Sequence, residues 1–154
     1  MKEIENNIDV KTIVELARNM RNAIELLPKS TLGIEMGYFP RGACGDAALL
    51  LGAYFVDCGF FGFKYVCGER GSHSDNSWTT HAWLSFEGLI VDITSDQFED
   101  ISDRVIVSKN SEWHQEFFNV VITESSDFRL WTGIGTHHLY QIYAKLKPIL
   151  GISN

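Results

Sequence analysis

"THAWLSFEGLIVDIT" (residues 80 to 94) carries two apolar stretches on either side of a two-residue break, Glu87-Gly88. Alternation of apolar and polar residues before the break, and a β-branched run after it, predict two strands joined by a tight turn. With an even loop, Phe86 faces Leu89, Leu84 faces Val91, Trp83 faces Asp92 and His81 faces Thr94. Successive side chains on a strand point to opposite faces, so His81, Trp83, Asp92 and Thr94 share one face. Ala82, Leu84, Val91 and Ile93 share the other. His81 and Asp92 become diagonal neighbours, about 7 Å apart at the backbone and within side-chain reach. An aspartate inside an apolar run needs a partner, and a carboxylate beside an imidazole fixes its tautomer and stabilises its charged form.

Outward from this hairpin, "FKYVCGE" (63 to 69), "RVIVSK" (104 to 109) and "NVVITE" (119 to 124) also suit strands. The polar "RGSHSDNSWT" (70 to 79) is a long connection, of the kind that often carries function. Upstream, apolar residues recur at intervals of three and four over residues 10 to 27, the period of a helix, which Pro28 stops. "STLGIEMGYFPRGACG" (30 to 45), with its glycines and proline, reads as an irregular surface-lining segment. A second helix is expected over residues 44 to 58, with Gly59 as its C-terminal stop. "SEWHQEFF" (111 to 118) reads as a short helix. "HHLYQIYAKLKPIL" (137 to 150) reads as a closing helix, kinked or frayed by Pro148 and beginning with solvated His137 and His138. Helices, then strands, then a helix predict a single α+β domain over residues 1 to 154, with an antiparallel sheet.

Cys44 opens the second helix. The unpaired N–H groups and the dipole at a helix start lower a thiol pKa, and the small neighbours Gly42, Ala43 and Gly45 leave room for a substrate at the sulfur. Backbone amides there can stabilise an oxyanion. A free cysteine is also among the most commonly buried residues, so Cys44 alone reads as well as a structural residue. A nucleophilic cysteine needs a base held by a third group. His81, the only histidine inside an alternating strand, and Asp92 supply that pair.

A cysteine opening a helix ("GACGDAALLLGAYFVDCGF", 42 to 60), a strand with "HAW" and an aspartate on the next strand together resemble the core of the transglutaminase-like group within the papain-like superfamily. "KYVCGE" falls where the intervening strand is expected, and the likeness covers about residues 40 to 96. It implies a papain-like (transglutaminase-like) fold with the nucleophile helix packed on an antiparallel β-sheet. It also implies Cys44 as nucleophile, His81 as general base and acid, and Asp92 as orienting partner. The chemistry implied is attack on an amide carbonyl through a thioester, on a protein or peptide, with neither cofactor nor metal. Transglutaminases, bacterial peptidases, protein-glutamine deamidases, arylamine acetyltransferases and lasso-peptide maturation peptidases share the order Cys, His, Asp. The small chain favours hydrolysis, as peptidase, amidase or glutamine deamidase, over transfer to an amine. A bacterial effector or toxin domain is a role that compact members fill. Papain's upstream oxyanion glutamine has no counterpart in "GYFPRGA". The Cys44 amide would carry more of that task, helped by Tyr38 or Gln97, with Gly45 and Trp83 at the cleft and Trp78 and Trp131 bordering it.

Three other readings stand beside this one. Asp96 replaces Asp92 as the orienting acid if the register differs, although an N-cap is its more ordinary use. A metal site from Cys44, Cys58, Cys67, His73 or His81 lacks any C-x-x-C pair, the cysteines being 14 and then 9 positions apart. A noncatalytic protein-binding module that retains the fold predicts activity indifferent to Cys44→Ala.

The net charge of −7 and pI near 5.1 argue against nucleic acid as the main partner, because phosphate recognition draws on clustered Lys and Arg. The longest apolar run, residues 47 to 56, is too short for a bilayer. "MKEIENNIDV" lacks the apolar centre of a secretory signal, so the expectation is a cytoplasmic protein or one exported without a recognisable signal peptide. Three sparse cysteines read as reduced thiols rather than a disulfide framework. Nothing in the sequence sets an oligomeric state.

Overall fold

A computed structural model describes residues 8 to 153. It shows an α+β chain with a five-stranded antiparallel sheet. Helix α1 (Val10–Leu26) and the short α2 (Gly33–Met36) precede α3 (Cys44–Asp57). Then come β1 (Lys64–Arg70), β2 (Thr79–Phe86), β3 (Leu89–Asp92), β4 (Ile106–Ser108), α4 (Glu112–Gln115), β5 (Phe118–Thr123) and α5 (His137–Leu150). The strands lie in the order β4-β3-β2-β1-β5, every pair antiparallel.

The β2–β3 hairpin has the expected register: Phe86 pairs with Leu89 and Leu84 with Val91. Glu87 and Gly88 both take positive φ, 46° and 83°, which a two-residue turn between right-twisting strands requires. The ladder between β2 and β3 ends at Leu84 and Val91, and Asp92, the last residue of β3, pairs with Ile106 of β4 instead.

Helix α3 is apolar on nearly every side, and residues 47 to 55 are all buried. Such a helix must be covered on all its faces. The sheet lies against one side through β1 and β2, with α1 and α5 against others. Gly59 ends it as expected. With φ at +88°, it lets Phe60 N–H reach Phe55 O at 2.8 Å and its own N–H reach Val56 O at 2.9 Å. Gly52 is where α3 passes closest to another backbone, since a Cβ there would lie 2.0 Å from Ser126 O.

The main core joins α1, α3 and α5 to Phe63, Leu84, Leu89, Val91 and Ile93 of the sheet and its exit. A smaller cluster of Val66, Trp83 and Phe117, with Ile90 and Trp113 against it, covers the opposite face. His81, Ala82, Trp83 and Leu84 are therefore all buried, alternate residues facing different layers.

Some expectations need correction. Residues 30 to 45 are not irregular throughout: a 3-10 turn (Lys29–Thr31) and α2 occupy part of them. The segment expected as one helix over 111 to 118 stops at Gln115, and Phe118 already belongs to β5. Helix α5 continues through Pro148 to Leu150, then closes on left-handed Gly151 with Ile152 N–H on Lys147 O at 3.0 Å. A proline in the last turn is tolerated because the helix ends within a few residues. No helix among the described residues is long and apolar enough to cross a membrane.

Candidate active site

Cys44 is the first residue of α3, half-buried, with Ala43 as the capping position and no side-chain cap. The first amides of a helix have no intrahelical acceptor, so they remain free to bind an anion. Gly42 turns the chain into the helix with φ +68°, and a Cβ at Gly42 would meet nothing within 4 Å. Gly45, half-buried, packs so that a Cβ would lie 3.0 Å from the Tyr65 hydroxyl, and the Tyr65 ring in turn meets Trp131 edge-on at 5.1 Å. The Tyr65 hydroxyl is pushed well above its ordinary pKa by burial, and stays protonated.

His81 is fully buried, and its Nε2 lies 2.6 Å from Asp92 Oδ2. Asp92, also buried, accepts a second bond on the same oxygen from His114 Nε2 at 2.7 Å. Its other oxygen accepts the Thr94 N–H at 2.9 Å. Burial alone would raise the Asp92 carboxyl. The His81 charge and the two imidazole donors outweigh it and hold the carboxyl far below the usual range. Burial likewise opposes a charge on His81. The facing Asp92 carboxylate wins, with help from the Cys44 side chain, and the imidazole is pushed up to about 9.

The other ring nitrogen, Nδ1, lies 3.1 Å from Gln97 Nε2, and Gln97 Oε1 lies 3.4 Å from the Gly42 N–H. That arrangement suits a neutral ring, whose Nδ1 accepts. A protonated ring would need the amide flipped so that its oxygen accepts from Nδ1–H, which would set the Gln97 NH2 against the Gly42 N–H, donor against donor. Gln97 thus touches both the imidazole and the turn that carries Cys44.

Asp92 and Asp96 have separate partners. Asp96 grips Arg21 of α1 through two bonds, 2.6 and 2.8 Å, while Arg21 also bonds Glu25 and Ile93 O, each at 2.7 Å. Asp96 is therefore neither the orienting acid nor an N-cap, since the 3-10 turn Ser95–Gln97 has no side-chain cap. The Arg21–Asp96 clamp instead anchors the segment that presents Gln97. Arg21 had a legible signal, a cation within the apolar stripe Ala17, Met20, Ile24.

The remaining candidates scatter. Trp83 is not at an open cleft: it is buried against His114 and Phe117, at ring distances of 4.9 and 5.1 Å. Tyr38 is 81% exposed. Trp78 stacks on His73 and bonds Glu69, which ties off the 70 to 79 connection. Cys58, at the far end of α3, is exposed, and burial of its sulfur raises its pKa. Cys67 stands near Cys44 on β1 and is raised by burial and by Cys44.

His114 is the participant that sequence reading missed. Ser111 caps α4, its hydroxyl lying 2.6 Å from His114 Nδ1, and this aims the ring into the sheet. The only local trace is the serine three residues before the histidine in "SEWH". His81, Asp92 and His114 form a group capable of metal ligation. Their 2.6 and 2.7 Å separations are those of N–H donors on an oxygen. Two ligands of one tetrahedral ion stand roughly 3.3 Å apart, from bonds near 2.0 Å. Hydrogen bonds therefore account for the cluster.

Compared with protein-family models, with curated proteins and with solved structures, the chain matches none.

Proposed function

We propose that this protein is a cysteine-dependent acyl-transfer enzyme of transglutaminase-like, papain-like architecture, hydrolysing an amide in a protein or peptide through a thioester. The observation that carries this reading is the placement of His81. One nitrogen is bonded to buried Asp92, and the other is linked through Gln97 to Gly42 in the turn that opens the Cys44 helix. Asp92 holds Nε2–H, which leaves Nδ1 as the nitrogen that exchanges a proton with Cys44.

In the reaction, His81 Nδ1 takes the Cys44 proton and the thiolate adds to the amide carbonyl. The resulting oxyanion is met by the Cys44 N–H and the Gln97 side-chain amide. His81 returns the proton to the leaving nitrogen, the C–N bond breaks and a thioester remains. Water, deprotonated by His81, then adds to the thioester, and the thiolate leaves as Cys44 is regenerated. The Arg21–Asp96 clamp and the Ser95–Gln97 turn hold Gln97 in position. A domain with this chemistry suits a bacterial effector or toxin that edits another protein. An amine in place of water would make it a transglutaminase.

The test compares wild type and Cys44→Ala by intact mass spectrometry of protein targets. A gain of about one mass unit reports deamidation, fragments report proteolysis and a joined product reports transfer. Iodoacetamide labelling at pH 6 is a companion measurement in which Cys58 is the internal control. Faster labelling of Cys44 than of Cys58 is expected. Equal rates, or full activity in Cys44→Ala, would overturn the reading.

A further inference from the structure

The His81–Asp92 pair does not stand alone: a second imidazole uses the same oxygen. Asp92 Oδ2 offers only lone pairs, so both His81 and His114 must present Nε2–H to it. The other His114 nitrogen, Nδ1, is in hydrogen-bond contact with the Ser111 hydroxyl 2.6 Å away. Ser111 Oγ in turn accepts the His114 backbone N–H at 3.4 Å. From Ser111 to His81, every donor in the chain has one acceptor.

We propose, building on the acyl-transfer reading, that His114 is a positioning residue that sets, through the oxygen it shares with His81, how strongly Asp92 raises the proton affinity of His81 Nδ1. Two donors on one carboxylate oxygen divide its charge. Each N–H drawn toward Oδ2 weakens its pull on the other, so His114 holds His81 below the proton affinity that an undivided Asp92 would impose. A general base held too firmly in its charged form cannot return its proton to the leaving group, so this tuning bears directly on turnover.

The groups facing the pair are few. From α3 there is Cys44; from the 3-10 turn, Gln97; from α4, Ser111; from β3, Asp92; and Cys67 and Tyr65 of β1 flank Cys44. Outside the aromatic cover of Trp83, Trp113 and Phe117, Arg70 is paired with Asp100 and Glu116. No variant of His114 alters those outer pairs directly.

The experiment follows the rate of Cys44 alkylation by iodoacetamide against pH in the full chain. In wild type, two inflections are expected, the upper one being the loss of the His81 proton. His114→Phe keeps an aromatic ring among aromatic neighbours but removes the donor, and the upper inflection should rise by about one pH unit, the scale of one charge-assisted hydrogen bond. His114→Gln restores an N–H near the Nε2 position and should return the inflection toward the wild-type value. In unmodified protein, the His114 Nε2–H resonance should move with the midpoint of the His81 titration, a readout independent of any variant's folding. An upper inflection unmoved in folded His114→Phe, or a His114 resonance indifferent to that titration, overturns the proposal while leaving the acyl-transfer reading in place. A single inflection at an ordinary thiol pKa in wild type overturns both.

Discussion

The two faces of the sheet are covered by different chemistry. Toward α3, the buried side chains are aliphatic and aromatic, packed against a helix that exposes almost nothing. Toward α4, the cover is a small aromatic cluster, and within its reach lie His81, Asp92 and His114, each buried and each hydrogen-bonded. The first face is large enough to hold the fold together. The second is too small to matter much for stability by area, yet it withdraws an imidazole and a carboxylate from water, where their interaction is strong. Changes on the first face should therefore register as stability, and changes on the second as reactivity at Cys44.

Asp92 and Asp96 put this contrast to its largest test. Asp92→Asn keeps the shape but removes the charge that stabilises protonated His81, so any amide turnover at neutral pH should fall roughly 10⁴-fold, and Cys44 alkylation should fall with it. Asp96→Asn weakens the clamp on Arg21, a half-buried acid against a buried guanidinium, and should cost about 2 kcal/mol of stability while lowering Cys44 reactivity only through the looser hold on Gln97, far less than Asp92→Asn does. Denaturant melts and alkylation kinetics on both variants separate the two roles. If Asp96→Asn abolishes reactivity as Asp92→Asn does, the division between the acids is wrong.

Gly52→Ala breaks the first face without touching the second. Alanine inside a helix ordinarily gains up to about 1 kcal/mol over glycine. Here its Cβ would sit 2.0 Å from Ser126 O and 2.5 Å from Ser126 C, both backbone atoms that cannot rotate away. The clash should outweigh the propensity, for a net loss of about 3 kcal/mol seen in denaturant unfolding. The surviving folded fraction should keep the wild-type alkylation profile.

The second face does enter stability through pH. His81 is raised from its ordinary 6.5 to about 9, so the proton it holds favours the folded state. That contribution is complete below about pH 6.5 and is lost as pH climbs through about 9, on the order of 3 kcal/mol. Asp92 works in the opposite direction: its depressed pKa contributes stability above the ordinary carboxylate range, lost only in strong acid. Thermal melts should accordingly fall between pH 6.5 and 9 in wild type and flatten in His81→Phe. A flat wild-type profile would mean that His81 is neutral throughout.

The same contrast explains what could be read from the chain. The hairpin was legible because its turn is two residues long and its alternation is local, and that was enough to bring His81 and Asp92 together. Helix α3 was legible from its apolar run and from Gly59. His114 was not, because the residue it meets is 22 positions away, on a face that α4 and Phe117 cover. The role of Asp96 was misjudged for a similar reason: its partner Arg21 lies 75 positions back. Signals within one or two elements survive in sequence, whereas pairings between distant elements leave at most a charge in an apolar stripe.

The smallest effect tests the register itself. Glu87 occupies a positive-φ position, 46°, where a residue with a Cβ and a longer side chain pays a conformational cost that asparagine largely escapes. Glu87→Asn creates Asn-Gly, the pair best suited to a turn with two positive φ values, and should stabilise the protein by about 0.5 to 1 kcal/mol. It lies at the opposite end of β2 from His81, is exposed and makes no recorded side-chain contact with the polar cluster. Firmer closure of the turn cannot change which residues face each other if the register is already fixed by Leu84 opposite Val91 and Phe86 opposite Leu89. Alkylation of Cys44 should then be unchanged at every pH even as the melting temperature rises. A change in reactivity would show that the hairpin exchanges registers, a slip of one residue being enough to turn Asp92 away from His81.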